Sequence, residues 1–134
     1  MSVANSLILD LKTDRDIVRT RQTVRTLTQE LNFSLVDQTK MVTAASELAR
    51  NTVTHGGGGT VRCECLLEGI KQGLRLAFED HGPGIRDLTL AMTDGWTSGT
   101  GLGLGLSGSK RLVNQFEIET KPGHGTRVII TRWK

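Results

Sequence analysis

At 134 residues the chain suits one packed domain spanning residues 1–134, with too little length for two separate cores. Its 37% hydrophobic content includes no apolar run of membrane-spanning length, and no basic segment leads a long apolar stretch at the start; a cytoplasmic protein with no membrane partner is the expectation. A net charge of +3 scattered along the chain, with only 4% aromatic residues to stack bases, gives no reason to expect a nucleic-acid partner.

In chain order, residues 6–12 alternate like an opening strand. Thr13 and Asp14 offer an N-cap to a helix whose Ile17, Val24, Leu27 and Leu31 recur at helical spacing. Arg15, Arg19, Arg21 and Arg25 on that helix read as a solvated face, with a docking surface for an acidic protein as the sharper alternative. Ser34 to Asp37 caps a second helix, expected to run to about Thr54 with Met41, Ala44, Ala45 and Leu48 inward, and Gly56-Gly-Gly-Gly59 ends it. Strands over 60–68 and 74–80 follow as a hairpin whose turn contains Gly69 and Gly73. A short helix is expected over 85–92, another over 107–115, then strands over 116–120 and 126–133 around Pro122-Gly123. This order favours an α+β fold in two layers: a mixed, mostly antiparallel sheet with the helices on one face.

Cys63 and Cys65 share one strand face with Val61 and Leu67 on this reading. Neighbours on one face are poorly placed for a disulfide, and a C-x-C pair without a nearby His is weak evidence for zinc, so two buried thiols are expected.

Three segments carry chemistry. Glu47 and Asn51 lie one helical turn apart beside the apolar stripe. They are either a surface pair near a helix end or a carboxylate able to accept a hydroxyl proton beside an amide oxygen able to hold Mg²⁺. Asp80 continues the inward face of Leu74, Leu76 and Phe78, where a bare carboxylate costs several kcal/mol. Either the amides of the Gly82-Pro-Gly84 turn satisfy it, or a donor such as an adenine amino group does. Gly99-Thr-Gly-Leu-Gly-Leu-Gly-Leu-Ser-Gly108 exposes successive N–H groups and opens a helix, an arrangement that binds anions. Gly103 to Gly108 matches G-x-G-x-x-G formally, but the preceding residues are polar and no parallel-sheet domain fits the remaining length. The loop lacks the Gly-Lys-Ser/Thr of a P-loop.

Glu47-Leu-Ala-Arg-Asn51, Asp80-His-Gly-Pro-Gly84, Gly99–Gly105 and Gly123-His-Gly-Thr126 together resemble the N box, two glycine boxes and final glycine-threonine element of the GHKL ATPase/kinase superfamily. Their spacing resembles that of the small anti-sigma-factor serine/threonine kinases. Within that group, Asp16-Ile-Val, Val36-Asp-Gln38, Asp94-Gly95 and Lys110-Arg-Leu112 are similar to the switch kinases of bacterial stress-response modules. The resemblance implies the Bergerat ATP-binding fold, with ATP and Mg²⁺ as cofactors. It implies Glu47 as general base and Asn51 as the Mg²⁺ holder. It also implies Asp80 on the adenine amino group with Thr126 nearby, Gly82 and Gly84 leaving room for the base, and Gly101, Leu102, Gly103, Leu104 and Gly105 along the phosphates. No catalytic role is expected for His81, whose side chain should point outward, while His55 either contacts phosphate or caps the helix. The implied activity is phosphorylation of a STAS-domain antagonist protein, with release allowing the kinase to bind and activate a PPM-type phosphatase. The alternatives are an anti-sigma factor that sequesters a sigma factor directly and a nucleotide-regulated binding module without catalysis.

Overall fold

The computed structural model describes residues 1–85, 92 and 105–134. Strand β1 (Ser2–Leu11) is followed by helices α1 (Asp14–Glu30) and α2 (Leu35–Thr54). Strands β2 (Gly59–Glu68) and β3 (Lys71–Asp80) come next, then helix α3 (Gly105–Arg111) and strands β4 (Gln115–Lys121) and β5 (Gly125–Trp133). The five strands form one sheet in the order β1-β2-β3-β5-β4, and every pairing is antiparallel, so among the described residues the sheet has no parallel member.

Local chemistry sets the helix boundaries. The Thr13 side chain accepts the Asp16 N–H while Asp16 reaches back to the Thr13 N–H, a reciprocal capping box. Ser34 accepts from the Asp37 N–H at the head of α2. Thr20 and Thr28 are buried in α1 because each hydroxyl donates to a carbonyl one turn back, from Asp16 and Val24.

The core lies between the helices and one sheet face. Met41, Ala44, Ala45 and Leu48 of α2 pack with Val24 and Leu27 of α1 over Val61, Leu74, Leu76, Phe78, Val128 and Ile130. The opposite face carries Arg62, Glu64, Arg75, Glu117 and Arg127 around a shallow groove of about 380 Å³, crossed by an Arg75–Glu64 ion pair at 2.8 Å.

Several expectations shift in detail. β1 begins four residues before the expected start, because its first residues are held by pairing Ser2 and Val3 with Leu67 and Leu66 rather than by burial. The hairpin turn is Gly69-Ile70; Gly73 sits inside β3, where the Trp133 ring occupies the space and a Cβ would approach it to 2.6 Å. Leu66, paired in register with Gly73, is buried and Leu67 is 37% exposed, the reverse of the one-face reading; of the two thiols expected to be buried, Cys63 is and Cys65 is only half-buried. α3 stops at Arg111 rather than 115, since the Asn114 N–H turns to the Thr131 carbonyl and Gln115 already pairs with β5. The helix expected over 85–92 lies outside the described residues apart from its two ends.

Candidate functional site

β3 delivers Asp80 as its final residue, with 8% of its surface exposed. Oδ1 accepts the N–H of Gly82 at 2.9 Å and of Thr126 at 3.2 Å, and the carboxylate's hydrogen bonds within the described residues all fall on that oxygen. Hydrogen bonds to a charged acceptor are worth about 1.5–3 kcal/mol each, enough to offset part of the desolvation cost. The two sequence readings of Asp80 are therefore compatible: turn amides hold one oxygen, and Oδ2 is left able to accept from a ligand.

The surroundings of that oxygen are kept bare by glycine. A Cβ on Gly56 would come within 2.5 Å of Asp80 Oδ2, and one on Gly82 within 2.6 Å of the Gly56 carbonyl. Gly125 packs against the Asp80 carbonyl at φ +93°, and Gly84 against the Lys121 carbonyl at φ +75°. Thr126 lies beside Asp80 through its N–H, and its hydroxyl meets Thr120 Oγ1 at 2.9 Å; Thr120 Oγ1 also accepts from the Ile85 N–H at 2.8 Å. These contacts tie the chain after β3 to the β4–β5 hairpin.

α2 supplies the second half of the site. Glu47 is buried, 9% exposed; Oε1 accepts the Gly105 N–H at a long 3.4 Å, and Oε2 lies 3.7 Å from the half-exposed Arg50 guanidinium. One turn on, Asn51 is half-buried, and its carbonyl accepts the N–H groups of His55 and Gly56. Because Gly56 is also the residue pressed against Asp80, the end of α2 that carries Asn51 is fixed directly to the end of β3. His55 stands at the C-cap of α2, and the His81 side chain points out, 86% exposed.

Asn51, Asp80, Gly82 and Thr126 are thus joined through shared contacts, and Glu47 meets Gly105. Gly101, Leu102, Gly103 and Leu104 lie outside the described residues. The sequence marks Gly56 only as a helix stop and Gly125 only as part of the glycine-threonine element, with no contact to Asp80 foreseen for either, and it does not point to Thr120. Their contacts are long-range, and the only local signal was glycine at Gly125, directly before Thr126.

No group of three His, Cys, Asp or Glu side chains suited to a metal occurs among the described residues. A half-buried amide oxygen beside a carboxylate suits Mg²⁺ nonetheless, since that ion commonly takes one or two protein oxygens and completes its shell with phosphate and water.

Comparison with known proteins agrees with this arrangement. The family described as histidine kinase-, DNA gyrase B-, and HSP90-like ATPases matches residues 36–134. The serine/threonine-protein kinase RsbT of Bacillus subtilis (strain 168) is 42% identical over 92% of each chain. The anti-sigma F factor of Clostridium novyi (strain NT) is 29% identical over 84% of this chain and 82% of its own. Among solved structures, the RsbU and RsbW domains of Rv1364c from Mycobacterium tuberculosis superpose with a TM-score of 0.65 at 22% identity. That match covers 98% of this chain and 33% of the longer one, and it supports the fold. A buried acid at a strand end, a carboxylate and carboxamide one turn apart, and matches over nearly the whole length all agree: the chain belongs to the histidine kinase-, DNA gyrase B- and HSP90-like ATPase family and is similar there to the RsbT serine/threonine kinase.

Proposed function

We propose that the protein is an ATP-dependent serine/threonine kinase of a cytoplasmic partner-switching module. It phosphorylates a STAS-domain antagonist protein and, once released, binds and activates a PPM-type phosphatase. The observation that carries this reading is the buried Glu47 carboxylate, one turn from Asn51 and in contact with Gly105, the residue that closes the glycine-rich segment.

Phosphoryl transfer asks little covalent work of a protein; it needs alignment, charge neutralisation and a proton acceptor. Asp80 Oδ2 would accept from the adenine amino group, and the glycines around it leave room for the base. Thr126 borders the same position. The role that the resemblance implies for Gly101, Leu102, Gly103, Leu104 and Gly105 is contact with the phosphates, and of these Gly105 is the described residue. The Asn51 side-chain oxygen would hold Mg²⁺, which neutralises phosphate charge when bound. Glu47 would take the proton of the substrate hydroxyl as that oxygen bonds to the γ-phosphorus and the bond from the γ-phosphorus to the β–γ bridging oxygen breaks, with ADP as the leaving group. A phosphate added at a packed protein surface brings about two negative charges, which suffices to break an interface and free the kinase for its second partner.

The test is transfer of labelled phosphate from ATP with Mg²⁺ to STAS proteins from the same organism. Glu47→Gln should lower kcat by about 10²–10⁴-fold, the usual worth of a positioned base, with nucleotide affinity retained. Asp80→Asn should instead weaken nucleotide binding by at least about tenfold. Full transfer by Glu47→Gln removes the base assignment. Capture of a sigma factor without any phosphotransfer would favour the anti-sigma reading.

A further inference from the structure

The contacts at the far end of α3 close a loop through the molecule that the family motifs do not include. Arg132, near the end of β5, donates from Nη1 to the Leu112 carbonyl at 2.9 Å and from Nη2 to Asp37 Oδ1 at 2.6 Å. Leu112 is the first residue after α3, and Asp37 lies in the first turn of α2. Asn114 adds two further ties to β5, its N–H to the Thr131 carbonyl and its Oδ1 to the Trp133 N–H. At its other end α3 meets α2 again, where the Gly105 N–H donates to Glu47. Helix α3 is therefore tied to α2 at both of its own ends, by Glu47–Gly105 and by Asp37–Arg132–Leu112.

We infer that Arg132 is a positioning residue for phosphotransfer: by holding the end of α3 to the start of α2, it fixes where Gly105 meets Glu47. The inference rests on the kinase reading of Glu47. Asn114 secures the chain after α3 to the sheet, whereas Arg132 reaches both the residue after α3 and the first turn of α2. Nothing smaller serves, because one planar guanidinium offers two separate donors in fixed directions where an ammonium offers a single point. The side chain is 14% exposed, and its Nε is the one buried side-chain nitrogen or oxygen among the described residues with no partner. A guanidinium kept there with a donor unsatisfied is a costly way to fill space.

Arg132→Met keeps an unbranched apolar stem without the unpaired Nε and leaves Asp37, whose side chain is 27% exposed, in contact with water, so the variant is expected to fold. Two measurements decide the matter. Amide hydrogen exchange over residues 105–112 should accelerate in Arg132→Met by clearly more than exchange in α1 does. At saturating ATP and STAS substrate, kcat should fall about tenfold, with ADP affinity changed less than about threefold, since the Asp80 corner is untouched. Asp37→Asn, which keeps an oxygen acceptor, should give a smaller change in the same direction, and Arg132→Lys should recover only part of the loss. Exchange that rises as much in α1 as over 105–112 would make Arg132 merely structural and overturn the inference, as would unchanged exchange over 105–112. A wild-type protein without phosphotransfer would sink the kinase reading and the phosphotransfer role of Arg132 with it, whereas a wild type that transfers phosphate beside an Arg132→Met of unchanged kcat would sink the inference alone.

Discussion

Cys63 shows how far one side chain's surroundings govern its chemistry. Burial among Val61, Leu76 and the helices pushes its thiol up to about 12, with the neighbouring Cys65 adding to the effect. Burial also raises Cys65, helped by the charge of Glu30. Since the thiolate is the reactive form, Cys63 at pH 8 should react with a disulfide reagent roughly a thousandfold more slowly than a free cysteine. Thiol titration of native and guanidinium-unfolded protein checks this: two reactive thiols after unfolding and a silent Cys63 before it. A fast native Cys63 would contradict the packing. At the same scale the sequence spoke clearly where a side chain's own pattern betrays it. Asp80 was legible because a carboxylate breaks an alternation of Leu74, Leu76 and Phe78, and Glu47 because it borders an apolar stripe. Arg132 was not, because nothing about an Arg near a chain end announces a partner 95 positions away.

At the scale of elements, the two glycines of the β4–β5 turn region separate conformational strain from collision. Gly123 has φ +82° and open space within 4 Å of where a Cβ would stand, whereas Gly125, at φ +93°, would bring its Cβ to 2.2 Å from the Asp80 carbonyl. Gly123→Ala should cost only the left-handed backbone penalty, about 1–2 kcal/mol. Gly125→Ala must also displace β3 from β5 at the site, so a loss above about 3 kcal/mol is expected, together with weakened nucleotide binding. Urea unfolding of both variants decides it, and equal losses would mean that the approach of the two strands is not tight. Capping chemistry made α1 and α2 readable almost to the residue, since Thr13 and Ser34 act on N–H groups only three positions away. The limits of β1 and α3 were hidden, because pairing with β2 and β5 sets them and those partners lie far along the chain.

For the whole molecule, acid is the condition that tests how the elements are held together. The N–H of Lys12 chiefly, with Thr13 in support, holds Asp16 below its ordinary value near 3.8 and ties β1 to α1. The Arg132 guanidinium chiefly, with the Ser34 hydroxyl, holds Asp37 below the same value and ties β5 to α2. A carboxylate with a depressed folded pKa binds fewer protons folded than unfolded between the two values. Its stabilisation is therefore complete above about pH 4 and is lost as the pH falls through the folded value. Asp16→Asn/Asp37→Asn should melt below wild type at pH 7, yet lose less additional stability between pH 5 and pH 2.5. General repulsion among the 17 Lys and Arg residues at low pH acts on both proteins and cancels in the comparison. Thermal melts at pH 7, 5, 4, 3 and 2.5 measure the slope, and parallel curves for the two proteins would show that these carboxylates do not brace the helices to the sheet. If the slopes differ as expected and the single Asp37→Asn variant accounts for its share, the contact that links β5 to α2 contributes to global stability as well as to the placing of α3.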